Sequence, residues 1–194
     1  MKKSITIMLL AIITFGSFGK VNAQSKAVQT IGTEPKILVV YYSWSGNTRQ
    51  VAEQIQTVVG GDIVEIKALK PYPEEYKQCV EQAKEEIHAN FKPEININKR
   101  ILDINNYDII FIGSPNWWST IAPPVASFIN LYDFKGKTVI PFCTHGGGQE
   151  ANLFKDIEAA AFGSKIMKGL AVSDANMVKS KEAVGSWLKE LKIK

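Results

Sequence analysis

Three segments of the 194-residue sequence concentrate hydroxyl groups, glycines and aromatic rings, which are residue types suited to holding a phosphate or a flat ring. The first is Ser43-Trp44-Ser45-Gly46-Asn47-Thr48, which stands where a buried strand is expected to meet a helix. The start of a helix binds anions, because unpaired N–H groups and the positive end of the helix dipole lie there. The segment therefore indicates a phosphate site, with Arg49 either neutralising the charge or lying solvated at the surface. Helix capping alone would account for one or two of its residues.

The second segment, Gly113 to Ser119, places two adjacent indoles, Trp117 and Trp118, after another expected strand. An exposed indole is unfavourable unless it covers another surface, so the pair indicates the wall of a ring-binding site. Asn116 and Trp117 would then present backbone groups to the polar edge of the ring. The alternative is that one indole lies in the core and the other packs on a flanking helix.

The third segment, Thr144-His145-Gly146-Gly147-Gly148-Gln149, contains three consecutive glycines. Such a run loses much chain entropy on folding, which favours either close approach of the backbone to a ligand or a plain flexible turn. His145 is a candidate proton donor to a bound substrate. The alternative is a loop histidine whose ring is hydrogen-bonded to the backbone.

Alternating strands and helices are expected to position these segments. Apolar, β-branched runs predict strands at 36–42, 62–67, 107–113, 137–143 and 164–172, and apolar residues at helical spacing predict a helix after each. This alternation predicts a parallel sheet covered on both faces, because parallel neighbours need right-handed crossovers. Ligands bind such sheets at the carboxyl ends of the strands, so the three segments are expected to meet at one edge.

The sequence lacks the residues that several other kinds of functional site require. The sequence has neither a G-x-x-x-x-G-K-[ST] nor a G-x-G-x-x-G motif, which argues against a nucleotide P-loop and a dinucleotide fingerprint. A Cys-x5-Arg phosphatase loop is absent, since Gln149 and Glu85 stand six positions after Cys143 and Cys79, and Ser114 has no nucleophile elbow. No metal site is expected from two histidines and two cysteines without a C-x-x-C pair, and the cysteines are predicted to be separate apolar thiols.

The first 34 residues predict export. Residues 1–23 combine lysines, an apolar stretch too short for a membrane span and the ending Val21-Asn22-Ala23, the pattern of a Sec-type signal peptide. Residues 24–34 are expected to be a short polar tether and residues 35–194 the folded domain, in the periplasm or outside the cell and without a membrane span after processing. Removing residues 1–23 takes away three lysines and lowers the formal net charge from +4 to +1, which gives little reason to expect a nucleic-acid partner.

In their order and their position after the strands, the three segments resemble those of the flavodoxin-like family. Ser43 to Thr48 is similar to the family's T-x-T-G-x-T loop for the phosphate of flavin mononucleotide (FMN), and the G-S-P-N-W-W and C-T-H-G-G-G stretches are similar to its ring-contacting loops. The resemblance implies FMN as cofactor and a three-layer α/β/α sandwich with a five-stranded parallel sheet in the order 2-1-3-4-5. The residues that it assigns to FMN are Ser43, Trp44, Ser45, Gly46, Asn47, Thr48, Ser114, Pro115, Asn116, Trp117, Trp118, Thr144, His145, Gly146 and Gly147.

The same resemblance implies a redox function. It allows electron transfer with a redox partner protein, or FMN-dependent reduction of a small quinone-like acceptor with NAD(P)H as donor. Electron carriers of the family are markedly acidic, whereas the mature chain is nearly neutral, which leaves room for a small-molecule reductase. The export signal suggests a different class as the alternative, an exported binding module that keeps the fold without redox turnover.

Overall fold

The computed structural model describes residues 34–97 and 103–193. The predicted signal peptide, residues 1–23, and the predicted tether up to residue 33 lie outside the described residues. The strands are β1 Ile37–Tyr42, β2 Asp62–Ala68, β3 Ile95–Asn96, β4 Ile109–Trp117, β5 Thr120–Ile121, β6 Thr138–His145, β7 Lys165–Ile166 and β8 Leu170–Ser173. The helices are α1 Asn47–Val59, α2 Tyr76–His88, α3 Pro123–Leu131, α4 Leu153–Ala160 and α5 Ser180–Leu191, with short 3-10 helices at Ile104–Asn106 and Asp174–Lys179.

One mostly parallel sheet contains all eight described strands. The order is β3-β2-β1-β4-β6-β7, with β5 paired to β4 and β8 paired to β6. The pairs β1–β2, β1–β4, β4–β6, β6–β7 and β6–β8 are parallel, whereas the two-residue strands β3 and β5 pair antiparallel. The predicted count of five strands is therefore wrong: two short antiparallel strands are added, and the predicted strand at 164–172 is divided into β7 and β8.

Pro141 explains the division of the last strand. Val139 of β6 pairs with Ile166 of β7, and Phe142 of β6 pairs with Leu170 of β8. The chain therefore has three residues between Ile166 and Leu170, whereas β6 has only two between Val139 and Phe142. Proline has no N–H to donate to a ladder, and strands next to it bulge or end. At the interruption, a Cβ added to Gly169 would lie 2.8 Å from the Pro141 carbonyl oxygen, so the close approach of the two backbones requires glycine there.

Alternation along β1 divides the core into the two layers that the sequence predicts. Leu38, Val40 and Tyr42 face a cluster that includes residues of α2, α3 and α4, whereas Ile37 and Val39 face a cluster that includes residues of α1 and α5. Nearly every residue of the central strands is buried, as expected for a sheet covered on both faces. The three-layer α/β/α architecture is thus present.

On each of two helices, one residue of the predicted apolar face is exposed. Helical spacing places Val58 and Tyr76 on apolar faces, yet they are 46% and 68% exposed. On α2 the buried residues are Cys79 and Ala83, one turn apart, because only a narrow stripe of this helix meets the sheet. Cys79 is a free thiol, as is Cys143, and both are buried, in agreement with the prediction. None of the helices within residues 34–97 and 103–193 has the length and apolar character to cross a membrane.

Candidate functional site

The three predicted segments meet at the carboxyl edge of β1, β4 and β6. The hydroxyls of Thr48 and Thr144 share a hydrogen bond of 2.9 Å, which joins the first segment to the third. Asn116 Nδ2 donates to the carbonyl oxygen of Gln149 at 2.6 Å, which joins the second segment to the third. The parallel order of the strands therefore brings together residues that are up to 106 positions apart in the chain.

The first segment, Ser43 to Thr48, is called the phosphate loop below. It ends at the start of α1, where Gly46 has φ +94° and no side chain caps the helix. Ser43 Oγ accepts from the Gly46 N–H at 3.1 Å, and the Ser45 hydroxyl is exposed. The N–H groups of the first helical turn thus have no side-chain acceptor, which leaves them and the positive end of the helix dipole to an anion.

Two charged residues lie beside the phosphate loop, Arg49 at the surface and Asp174 directly after β8. Arg49 donates to Glu65 on β2, so its charge is committed to that carboxylate. Asp174, which the sequence reasoning missed, accepts from Asn47 Nδ2 at 2.9 Å and lies beside Gly146. Its position directly after β8, at the carboxyl edge of the sheet, is the signal that could have identified it.

The second segment is the end of a strand rather than a loop. Ser114 to Trp117 continue β4, and Asn116 and Trp117 pair with β5 in a hairpin whose turn residues, Trp118 and Ser119, have φ of +52° and +68°. The Ser114 side chain is fully buried: its hydroxyl donates to the Pro115 carbonyl at 2.8 Å and accepts from the Ala122 N–H at 2.9 Å. That hydroxyl holds the hairpin to α3 and does not face the edge.

Of the two indoles, Trp117 packs inward and Trp118 lies on a helix. Trp117 is partly buried and makes edge-to-face contacts with Tyr42 and Tyr72, at centroid distances of 5.6 and 5.0 Å. Trp118 is half exposed, and its Nε1 donates to the Val80 carbonyl of α2 at 3.0 Å. Lys84 Nζ lies 5.0 Å from the centroid of the Trp118 ring, within cation–π range.

In the third segment, Thr144 and His145 are the last residues of β6, and the glycines follow it. His145 Nδ1 accepts from the Gly147 N–H at 3.1 Å, so this ring is hydrogen-bonded to the backbone. Because Nδ1 accepts, the neutral imidazole carries its proton on Nε2. Gly147 has φ +142° and Gln149 has φ +53°, backbone angles that hold the segment in a sharp turn.

A cleft of about 300 Å³ lies between α2, the phosphate loop and the hairpin. We call it the aromatic cleft; it is lined by Trp44, Tyr76, Cys79, Val80, Ala83, Asn116, Trp117 and Trp118. Burial raises the pKa of the Cys79 thiol to about 11, and the negative charge of Glu86 adds to the shift. The carbonyl oxygen Oδ1 of Asn116 is buried and has no hydrogen-bond partner.

The chain has a doubly wound α/β fold, with an uncapped helix N-terminus, indoles and a glycine-rich segment at the sheet edge where such folds bind ligands. More particularly, the chain belongs to the flavodoxin family, whose model, described as Flavodoxin, matches residues 36–191.

Several known proteins are similar to this chain. An NAD(P)H dehydrogenase (quinone) of Paraburkholderia phymatum is 28% identical over 163 residues, covering 77% of this chain and 78% of that protein. The structure of a flavoprotein in complex with FMN from Lactobacillus acidophilus is 28% identical, with a TM-score of 0.61, covering 75% of this chain and 97% of that one. A crystal structure from Bacteroides eggerthii gives a TM-score of 0.71 at 29% identity, covering 82% of this chain and 99% of that one.

The donor set of the phosphate loop fits the phosphate of FMN. Its first-turn N–H groups and the exposed Ser45 hydroxyl are donors, and a Cβ added at Gly46 would meet nothing within 4 Å, so the space above the glycine is open. Thr48 and Thr144 are only 1% and 3% exposed, and their hydroxyls bond to each other. The Thr48 and Thr144 side chains therefore support the phosphate loop from its buried side.

Proposed function

We propose that this protein binds FMN and passes electrons between the bound flavin and a redox partner protein or a small quinone-like acceptor. The observation that carries the proposal is the uncapped first turn of α1 in the phosphate loop, joined by hydrogen bonds to the other segments of the edge. The similar flavoprotein in complex with FMN supports the cofactor, and the similar proteins named NAD(P)H dehydrogenase (quinone) support the redox role.

FMN supplies one- and two-electron redox chemistry when it is bound, and the chain supplies position and electrostatics. The first turn of α1 donates to the phosphate, while the Asn116–Gln149 bond holds the hairpin and the glycine-rich segment at a fixed separation. Asp174 places a negative charge beside the phosphate loop and so weakens phosphate binding. His145 keeps an N–H on Nε2, which can donate a hydrogen bond to the ring or to a substrate.

An absorbance spectrum of the purified protein, taken before and after addition of FMN and gel filtration, tests the cofactor. We expect retained flavin bands. The variant Ser45→Asp places a carboxylate among the phosphate donors, and should weaken FMN binding by about tenfold or more while leaving riboflavin binding unchanged. Ser186→Asp, on the exposed side of α5, is the matched control. Equal weakening of FMN and riboflavin in Ser45→Asp would refute the assignment of this loop to the phosphate.

Electron delivery is tested separately. The FMN-loaded protein is reduced with dithionite without oxygen and mixed with duroquinone, and reoxidation of the flavin is followed by absorbance. Direct turnover with NAD(P)H and duroquinone identifies a reductase, whereas dependence on an added flavin reductase identifies a carrier. A protein that binds FMN but delivers electrons no faster than free FMN is a binding module, the alternative suggested by the sequence.

Export is a separate proposal, supported by residues 1–23 alone. We infer that this segment directs the chain out of the cytoplasm and is cleaved after Ala23. Cell fractionation followed by intact-mass measurement tests it: a mature chain beginning at Gln24 outside the cytoplasm is the expected result. A full-length chain in the cytoplasm would contradict it.

A further inference from the structure

We propose that Trp117, Tyr72 and Glu86 form a path that carries one-electron oxidising equivalents out of the aromatic cleft. The oxidant is a photoexcited flavin beside Trp117, so the use of the path rests on the proposed function, whereas transfer along it needs only residues of this chain. The observation behind the proposal is the position of Tyr72, whose ring contacts Trp117 and whose hydroxyl donates to the Glu86 carboxylate.

Trp117 is in edge contact with two tyrosines. Its ring centroid lies 5.0 Å from that of Tyr72 and 5.6 Å from that of Tyr42, at interplanar angles of 73° and 83°. Trp117 lines the aromatic cleft, whereas the two tyrosines lie behind it and are only 7% and 6% exposed. When Trp117 loses an electron to an oxidant in the cleft, a buried ring in direct contact can therefore replace it.

Of the two tyrosines, Tyr72 has an acceptor for its proton. Its hydroxyl donates to Glu86 Oε2, and Glu86 Oε1 accepts from Gln82 Nε2 at 2.8 Å, which holds the carboxylate in place. Burial and then the bond to Glu86 raise the pKa of Tyr72, so the phenol keeps its proton until its electron leaves. For Tyr42 the pKa is raised by burial and nearby negative charges, and its hydroxyl has no hydrogen-bonded acceptor within residues 34–97 and 103–193.

The steps along the path balance in electrons and protons. The photoexcited flavin takes one electron from Trp117, and Trp117 takes one electron from Tyr72, which restores the indole. Tyr72 becomes a neutral tyrosyl radical: its O–H bond breaks, and the proton passes to Glu86, because a phenol that has lost an electron is strongly acidic. An external one-electron reductant of the ascorbate class then returns an electron to Tyr72, and the proton returns from Glu86.

The path ends at a second groove, which a small reductant can enter. Tyr72 and Glu86 both line this groove of about 350 Å³, and it shares no lining residue with the aromatic cleft. The oxidised group is thereby moved from an indole beside the cofactor to a phenol that is reached from a different surface. Trp117, which would otherwise remain oxidised in the cleft, is spared.

Laser photolysis of the purified full chain without FMN tests the path. An ultraviolet pulse ejects an electron from tryptophan, and the absorbance bands of the tryptophan and tyrosyl radicals are followed separately. We expect part of the tyrosyl signal to be lost in Trp117→Phe, and the same part to be lost in Tyr72→Phe and in Glu86→Gln. Heavy water should slow the formation of that part, because Tyr72 gives up its electron and its proton together.

Two substitutions are the matched controls. Tyr42→Phe removes the hydroxyl of the other ring in contact with Trp117, and Glu85→Gln removes the exposed carboxylate next to Glu86 in the chain. Both should keep the full tyrosyl signal. The inference is overturned if the signal survives Tyr72→Phe, if Tyr42→Phe removes it, or if Glu86→Gln and Glu85→Gln have equal effects. If Tyr72→Phe does not fold by circular dichroism, Glu86→Gln, which keeps the phenol in place, decides the result.

A blue-light pulse on the FMN-loaded protein tests where the path begins. A tyrosyl signal that depends on Trp117 is the expected result, whereas a radical that stays on tryptophan would overturn the inference that the path starts in the cleft. Failure of FMN to bind at all would refute the proposed function, and the measurement without FMN would still decide whether the path exists.

Discussion

The buried hydrogen bond between Thr48 and Thr144 allows a quantitative test of how the phosphate loop is held. Both side chains are almost fully buried, and the bond joins the first turn of α1 to the end of β6. Thr48→Val removes one hydroxyl at nearly constant volume and leaves the other without this partner. An unsatisfied buried hydroxyl costs about 1–3 kcal/mol, so we expect each single variant to lose stability in that range.

The double variant is expected to behave differently. When Thr48→Val and Thr144→Val are combined, no hydroxyl of the pair is left unsatisfied, and replacement of both partners by apolar groups is nearly neutral. The double variant should therefore be more stable than either single variant by about 1 kcal/mol or more. This non-additivity is the signature of a direct interaction.

Urea unfolding followed by tryptophan fluorescence measures these differences. With a slope of about 1–3 kcal/mol/M, a loss of about 2 kcal/mol moves the midpoint by roughly 1 M, which is easily measured. Thr57→Val, on the exposed side of α1, is the control, since its hydroxyl bonds only the Glu53 carbonyl within the helix. Additive losses in the double variant would refute the pairing. A folded double variant that no longer binds FMN would show that one of these hydroxyls turns to the phosphate instead.

Three further predictions concern charge, thiols and glycines. Asp174→Asn should tighten FMN binding by about three- to tenfold and leave riboflavin binding unchanged, because a carboxylate beside the phosphate loop repels a dianion; equilibrium titration measures both affinities, and no change for FMN would contradict it. Burial raises the pKa of Cys79 to about 11 and that of Cys143 to about 12, so at pH 8 a thiol-reactive dye should label neither until the chain is unfolded. Since the unfolded thiols ionise near their usual pKa of 9.0, this contribution to stability is complete below that pH and is lost as the pH rises through the folded values. Gly113→Ala should destabilise the protein by about 1–3 kcal/mol, because a Cβ there would lie 2.2 Å from a phenylalanine ring of β6, whereas Gly185→Ala, with open space in α5, should stabilise it by about 0.5–1 kcal/mol; opposite signs in thermal unfolding are the decisive result.

The layers of the fold could be predicted because burial on both faces leaves a strong signal. The run from Lys36 to Tyr42 is apolar at nearly every position, which indicates a central parallel strand, and β1 is buried throughout. Alternation with helices then leaves one architecture, because crossovers between parallel strands are right-handed. The meeting of the three segments follows from this topology alone, since loops at the carboxyl ends of adjacent strands share an edge.

The hairpin could not be predicted, since its residues favour turns when they are considered locally. Gly113, Pro115 and Asn116 are uncommon in strands, so the pattern ended the third strand early. The structure extends β4 through them because β6 provides a ladder on one side, with Pro115 opposite Thr144, and β5 pairs back on the chain's own continuation. Partners distant in sequence override local propensity here, and a single sequence does not specify which partners those are.

The largest departure from the sequence-based site is the part that α2 plays in it. Its polar composition predicts a surface helix, and Glu75 caps its start by accepting from two backbone N–H groups. Yet Trp44 is bonded at the segment leading into α2 and Trp118 at its second turn, so both indoles are held by backbone carbonyls rather than by side chains. Any side chain can stand at these carbonyl positions without altering the bonds, which is why no residue pattern on α2 reveals them. The Trp118 wall of the aromatic cleft therefore depends on α2 staying helical, whereas Trp44 depends on the segment before it, and substitutions that loosen this helix should release Trp118 before Trp44.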